Sequence, residues 1–361
     1  MPSRRQFIAG FAATPLATSI GWSAVGSPVA LSAARSASGS YVLVGLDAAG
    51  DVAFAQVLPA RGHAGAAHPV RAEAVIIARR PGTYAIILDC ASGEIRQTIV
   101  APAGQHFFGH GAFSAEGDLL FTTENQIDTG AGRIGVWDTK LNYQRIDEFS
   151  SGGIGPHEIL RLPSGDLAVA NGGIRTNPAT GRKKLNLDTM RPNLSLFGID
   201  GRLKDQAEGA PAAHQNSLRH IAASPDGTII CGFQWQGDPY DAPPLVAFYS
   251  GKGRFEHAEL DEILSRDLDG YIGSVCAMTD TAFAASSPRG GRVLTLDRVG
   301  RVTAVSSAPD CCGLATLSKG ACLVTTGLGE VFEFTDRRLQ IQSRHRMSFD
   351  NHVLSLIENP V

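Results

Sequence analysis

Histidine recurs at one kind of place along this chain of 361 residues. Arg61-Gly62-His63, Gly109-His110-Gly111, Gly155-Pro156-His157-Glu158, Leu218-Arg219-His220 and Asn351-His352 each stand where a short apolar run begins. Neutral imidazole ligates iron, copper, zinc and nickel, so imidazoles drawn to one point make a transition-metal site. Glu124 and Glu158 are the carboxylates that would complete such a site or orient its ligands. Arg80, Arg175, Arg219 and Arg289, with Gln234, offer donors that would clamp an anionic ligand, such as a carboxylate or a metal chelate. Arg80, Arg175 and Arg289 are expected to converge on the histidines. The plainer alternative is that each imidazole caps its own strand or bonds to a neighbouring segment, with no metal involved.

The elements that must position these residues repeat. In His106 to Asp138 a strand runs from Gly109 to Phe113, turns at Ala115-Glu116-Gly117-Asp118, and returns from Leu119 to Thr123. A polar loop and a third strand, Arg133 to Trp137, follow. Apolar runs of this length between Gly and Asp turns are strand signals and too short for helices. Six units of strand, turn, strand, loop, strand, turn, strand begin at Arg61 and recur every ~40 to 60 residues, the spacing of four-stranded propeller blades. Ser40 to Pro59 supplies the two outer strands of a seventh blade and Asn351 to Glu358 its inner strand, with the second strand missing. The spacing predicts an all-β, seven-bladed propeller closed by the N- and C-terminal strands; a pair of β-sandwiches is the competing fold. Helix is expected only at Leu260 to Asp267. In a propeller, the loops entering each inner strand share a face with those joining the second and third strands. All the candidate residues fall in these two loop classes.

The net charge of -3 gives no case for nucleic acid or an anionic membrane as partner. Ser3-Arg4-Arg5-Gln6-Phe7-Ile8 matches the twin-arginine export pattern, and the weakly apolar run to Val25 is broken by Pro15 and Gly21. Residues 1–38 therefore read as signal peptide and linker and 39–361 as the propeller, with a mature start between Leu31 and Ser40. With no other long apolar segment, a soluble periplasmic protein without a membrane span is expected. Cys90, Cys231, Cys276 and Cys322 lie in strand patterns as small buried residues, and the adjacent Cys311 and Cys312 form no CxxC. His68, His106 and His214 read as ordinary loop residues near the site, and His257 and His345 as surface residues of outer strands. GxSxG, HExxH and P-loop motifs are absent, which argues against an enzyme of those types. The basic insertion Gly173 to Pro192 is long enough to cover the site or dock a partner.

The blocks RGH (61–63), ARRPGT (78–83), HFFGHGAFSAEG (106–117), TTEN (122–125), SGGIGPHE (151–158), NGGIRTNP (171–178), KLNLDTMRP (184–192), SPRGG (287–291) and DNH (350–352) resemble the exported bacterial family catalogued as domain of unknown function 1513. Phe349 stands before DNH where that family commonly has Trp. The resemblance implies a seven-bladed propeller of the quinoprotein amine dehydrogenase type. It also implies a periplasmic setting beside imelysin-type and haem proteins, and hence iron acquisition. Two expectations follow. One is an accessory protein binding a transition metal, iron or copper, or its chelate at His63, His110, His157, His220 and His352. The other is a propeller enzyme, a lactonase-like hydrolase or redox subunit, acting on a small anion.

Overall fold

The computed structural model describes residues 20–78, 82–181, 183–318, 320–335 and 338–356. Its strands form seven antiparallel sheets of four. The six predicted units each become one blade, and their inner strands follow one another around a common axis. These are Gly62–Ala67, Gln105–Phe113, Pro156–Arg161, Asn216–Ala223, Ser274–Ala277 and Cys311–Ser318. The seventh blade joins both ends of the chain, with Met347–Ser355 innermost, then Ala30–Ser36, Tyr41–Leu46 and Val52–Val57.

Blade position explains the residue patterns. A middle strand is covered on both faces by neighbouring blades, so Glu73–Ala78 and Ala321–Thr326 are buried at every position. Outermost strands have one wet face, and Val302–Ser307 and Leu339–Arg344 alternate accordingly. Buried apolar residues fall into seven clusters among the described residues, one between each pair of adjacent blades. Phe121, fully buried, carries the second blade onto Ile159 and Val169 of the third. The ring is thus held by seven similar apolar seams rather than by one central core.

The missing strand of the closing blade is Ala30–Ser36, paired with Met347–Ser355 on one side and Tyr41–Leu46 on the other. The closing blade therefore begins at Ala30, ahead of residue 39. The propeller already includes residues assigned to the linker. The chain is engaged still earlier, since Trp22 Nε1 donates to the His68 carbonyl at 2.9 Å and Val25 is buried in a seam. The short helix appears as Glu262–Asp267, with the Asp261 side chain accepting from Leu264 N–H. All six cysteines are buried and free.

One irregularity recurs in the inner strands. Near its entry, pairing with the second strand slips between Gly62 and Gly65, Phe107 and Gly111, Pro156 and Glu158, Leu218 and His220, and Cys311 and Leu314. In the closing blade, Ser32 pairs with Val353 and Ala34 with Phe349, so Asp350 to His352 stand opposite Ala33 alone. These are β-bulges, which leave residues out of the ladder and re-aim their side chains.

Candidate metal centre

Four histidines lie within the bulges: His63, His110, His157 and His352. A ring nitrogen from each lies within 4.8 Å of the others. Ring centroids are 4.5 Å apart for His63 and His352, 4.6 Å for His110 and His352, and 4.9 Å for His110 and His157. A regular strand would send these side chains sideways into the seams; the bulge turns them to the axis. His220 follows a different geometry. In its blade the bulged residue is Arg219, and His220 is back in the ladder opposite Gly232. It remains beside the group, 5.1 Å from His157 between centroids, but outside the set of four.

Glycine makes room for this packing. Gly109 has φ +112°, and a Cβ there would lie 2.3 Å from His63 Cδ2. At Gly65, just past the first bulge, a Cβ would lie 1.7 Å from the Val75 carbonyl oxygen.

The hydrogen bonds set the tautomers. His157 Nδ1 lies 3.0 Å from the carbonyl oxygen of Arg219. A carbonyl only accepts, so Nδ1 carries the proton and Nε2 the lone pair. His110 turns Nδ1 toward Glu158 Oε1 at 3.9 Å, while its buried Nε2 has no hydrogen-bond partner among the described residues. Glu158 Oε2 accepts from Ile221 N–H at 3.0 Å and faces His220 Nδ1 at 3.4 Å. Burial pushes His110 well below the ordinary histidine range, with His63, His220 and Arg219 adding to it. Burial does the same to His157, followed by Arg219 and the neighbouring imidazoles. Both rings are neutral at neutral pH, as ligation requires.

The donor set fits a transition metal. Bonds of about 2.0–2.1 Å place adjacent ligand atoms roughly 3 Å apart around a tetrahedral or an octahedral ion, within reach of this group after contraction. Nδ1 held by a carbonyl or facing a carboxylate, with Nε2 left for the ion, is the usual arrangement around ligating histidine.

The remaining candidates separate. Glu158 belongs to the centre. Glu124 does not: it lies inside the strand Leu119–Gln126, fully buried, paired with Arg145 at 2.7 Å and accepting from Thr122. Its strand runs three residues further than predicted, which buries a carboxylate expected in a loop. Arg175 donates to the Asp128 carbonyl at 2.7 Å, and Gln234 to the Ile272 carbonyl at 3.2 Å, each tying its own segment to that of a neighbouring blade. Arg80 lies outside the described residues. Arg289 stacks on Tyr271 at 4.5 Å, and Arg219 stands beside His157. Sequence reasoning passed over Lys184, in the long insertion. Its ammonium is pulled below the ordinary lysine value by burial first, then by Arg219 and Arg289, which gathers three cations on this face.

None of the other histidines serves the centre. His68 is buried in a turn on the opposite face, its Nδ1 accepting from Val70 and Arg71 N–H, and His106 pairs with Asn125. His257 is exposed and His214 half-buried, and His345 is half-buried too, with Nε2 2.9 Å from the Gly50 carbonyl oxygen, so it is not the surface residue expected.

The chain belongs to the family described as "Protein of unknown function (DUF1513)", whose model matches residues 56–356. No curated protein matches it. Among solved structures it is similar to hydrazine synthase of Kuenenia stuttgartiensis, with TM-score 0.61 and 14% identity over 85% of this chain and 96% of that one. It is also similar to the WD40 repeats of RRP9, with TM-score 0.58 and 11% identity over 82% and 84% of the two chains. At such identities the likeness is one of fold, and it places the chain among propellers.

Proposed function

We propose that this propeller binds one transition-metal ion, iron or copper, on its axis through His63, His110, His157 and His352, with Glu158 and His220 holding the ligands in place. The observation that carries the reading is the convergence of four imidazoles from four bulges, one of them with a buried, unpartnered Nε2. A buried polar atom without a partner is costly, and a metal ion would satisfy several at once. Lys184, Arg219 and Arg289 favour arrival of the metal as an anionic chelate on their face. In this reading the protein is an exported accessory protein of metal acquisition, with imelysin-type or haem proteins as partners, rather than a hydrolase. The export motif at Arg4 and Arg5 lies outside the described residues. Arg4→Lys with Arg5→Lys should hold the protein in the cytoplasm.

The test is the metal content of protein purified without a histidine tag. Wild type should carry about one equivalent of a transition metal. His110→Ala and His157→Ala should lose it, and His214→Ala should keep it. Metal-free wild type that takes up neither iron nor copper would overturn the reading.

A further inference from the structure

A cavity of 280 Å³ runs along the axis below the histidines. Glu158, His220 and His352 line its inner end. At its outer end it reaches Pro163 and Ser355, both exposed, on the face of the turns between first and second strands. That is the face opposite the one expected to receive ligands. Along its length the walls are inner-strand backbone and small or apolar side chains such as Ala66, Ala222 and Val275, with the Arg161 and Thr316 side chains among them.

Charge is divided between the two approaches. Lys184, Arg219 and Arg289 gather on the histidine-entry side. The channel instead presents the Glu158 carboxylate where it meets the centre. Glu158 at the inner end disfavours an entering anion and Arg161 in the wall disfavours an entering cation, so a small uncharged molecule is the one that meets neither barrier.

We propose that this channel admits a small uncharged donor molecule, of the size of a diatomic gas, to an open coordination position on the bound metal. This rests on the metal reading above. Four imidazoles leave an octahedral ion two further positions, and the channel reaches the group on the side of His352.

Nitric oxide is the probe, mixed with anaerobic iron(II)-loaded full-length protein and followed by stopped-flow absorbance. Ala222→Phe narrows the channel, and Ser355→Trp crowds its exposed rim, where misfolding is less of a risk. Wild type should form an iron–nitrosyl adduct. Each variant should form it roughly tenfold more slowly with unchanged iron content. Azide should bind the wild type more weakly than nitric oxide, and its rate should not follow the two substitutions. Wild type that takes up no iron overturns this inference, and wild type that takes up neither iron nor copper overturns the metal reading with it. Iron-loaded wild type that forms no adduct, or loaded variants that react at the wild-type rate, overturns the channel alone.

Discussion

At the scale of residues, the group around the axis combines four imidazoles with one carboxylate, and the carboxylate meets the rings at their Nδ1 atoms. Glu158 faces two imidazole Nδ1 atoms and accepts one backbone N–H, so its charge orients His110 and His220 together. Glu158→Gln keeps an acceptor for Ile221 N–H but removes the charge. Metal affinity should fall about tenfold to a hundredfold, read by competition with a chromophoric chelator, while the metal-free protein melts nearly as before. An unchanged affinity would reduce Glu158 to a strand-pairing residue. The five histidines were legible in the sequence because each precedes an apolar run. Glu124 was misread because its strand outruns its apolar residues through Thr122 and Thr123, and burial of a carboxylate cannot be told from its neighbours in sequence. Lys184 was invisible because its importance lies in arginines from two other blades.

At the scale of elements, the bulge decides which histidine joins the centre, and a bulge is a relation between two strands that neither strand's sequence states alone. His220 illustrates this: it has the same position in its unit as the others, but a bulge one residue earlier leaves it in the ladder. Gly109→Ala should expose the dependence of the centre on this backbone. The positive φ and the approach to His63 together should cost roughly 1–3 kcal/mol in urea unfolding and weaken metal binding. The turn after the first inner strand carries a second, separate sensitivity. His68 titrates near 4 instead of 6.5, chiefly because it is buried, and its Nδ1 must stay unprotonated to accept two backbone N–H groups. The folded-state value is the lower one, so the unfolded chain takes up the proton first as the pH falls. The stabilisation is complete above about 6.5 and is lost as pH drops from there toward 4, by at most about 1.4 kcal/mol per pH unit. His68→Asn keeps an acceptor without the titration. Between about pH 7 and 5, metal-free wild type should lose roughly 1–2 kcal/mol more than this variant in urea unfolding. Equal losses would show that His68 is not the group responsible.

At the scale of the whole molecule, six blades were readable from the apolar runs and Gly or Asp turns alone, and so was closure by the two ends. The second strand of the closing blade was not. Ala30–Ser36, ALSAARS, is made of residues with little strand propensity, and its place is fixed by burial between two other strands. Removing the chain from Asn351 onward should strip the inner edge from this strand and leave an unpaired ladder. The truncated protein should aggregate or lose cooperative melting. A soluble, sharply melting product would show that the ring does not depend on that strand.

The same strand carries His352, so the four imidazoles come from the first three blades and from the last stretch of the chain. A growing polypeptide can assemble three of them early, but the fourth arrives only when Met347–Ser355 has docked beside Ala30–Ser36. Occupancy of the axis would then report a closed ring and be withheld from molecules in which Met347–Ser355 is undocked. A bound ion would also serve as a rivet across the one blade whose strands come from both termini, making release of metal and opening of the ring two sides of a single equilibrium.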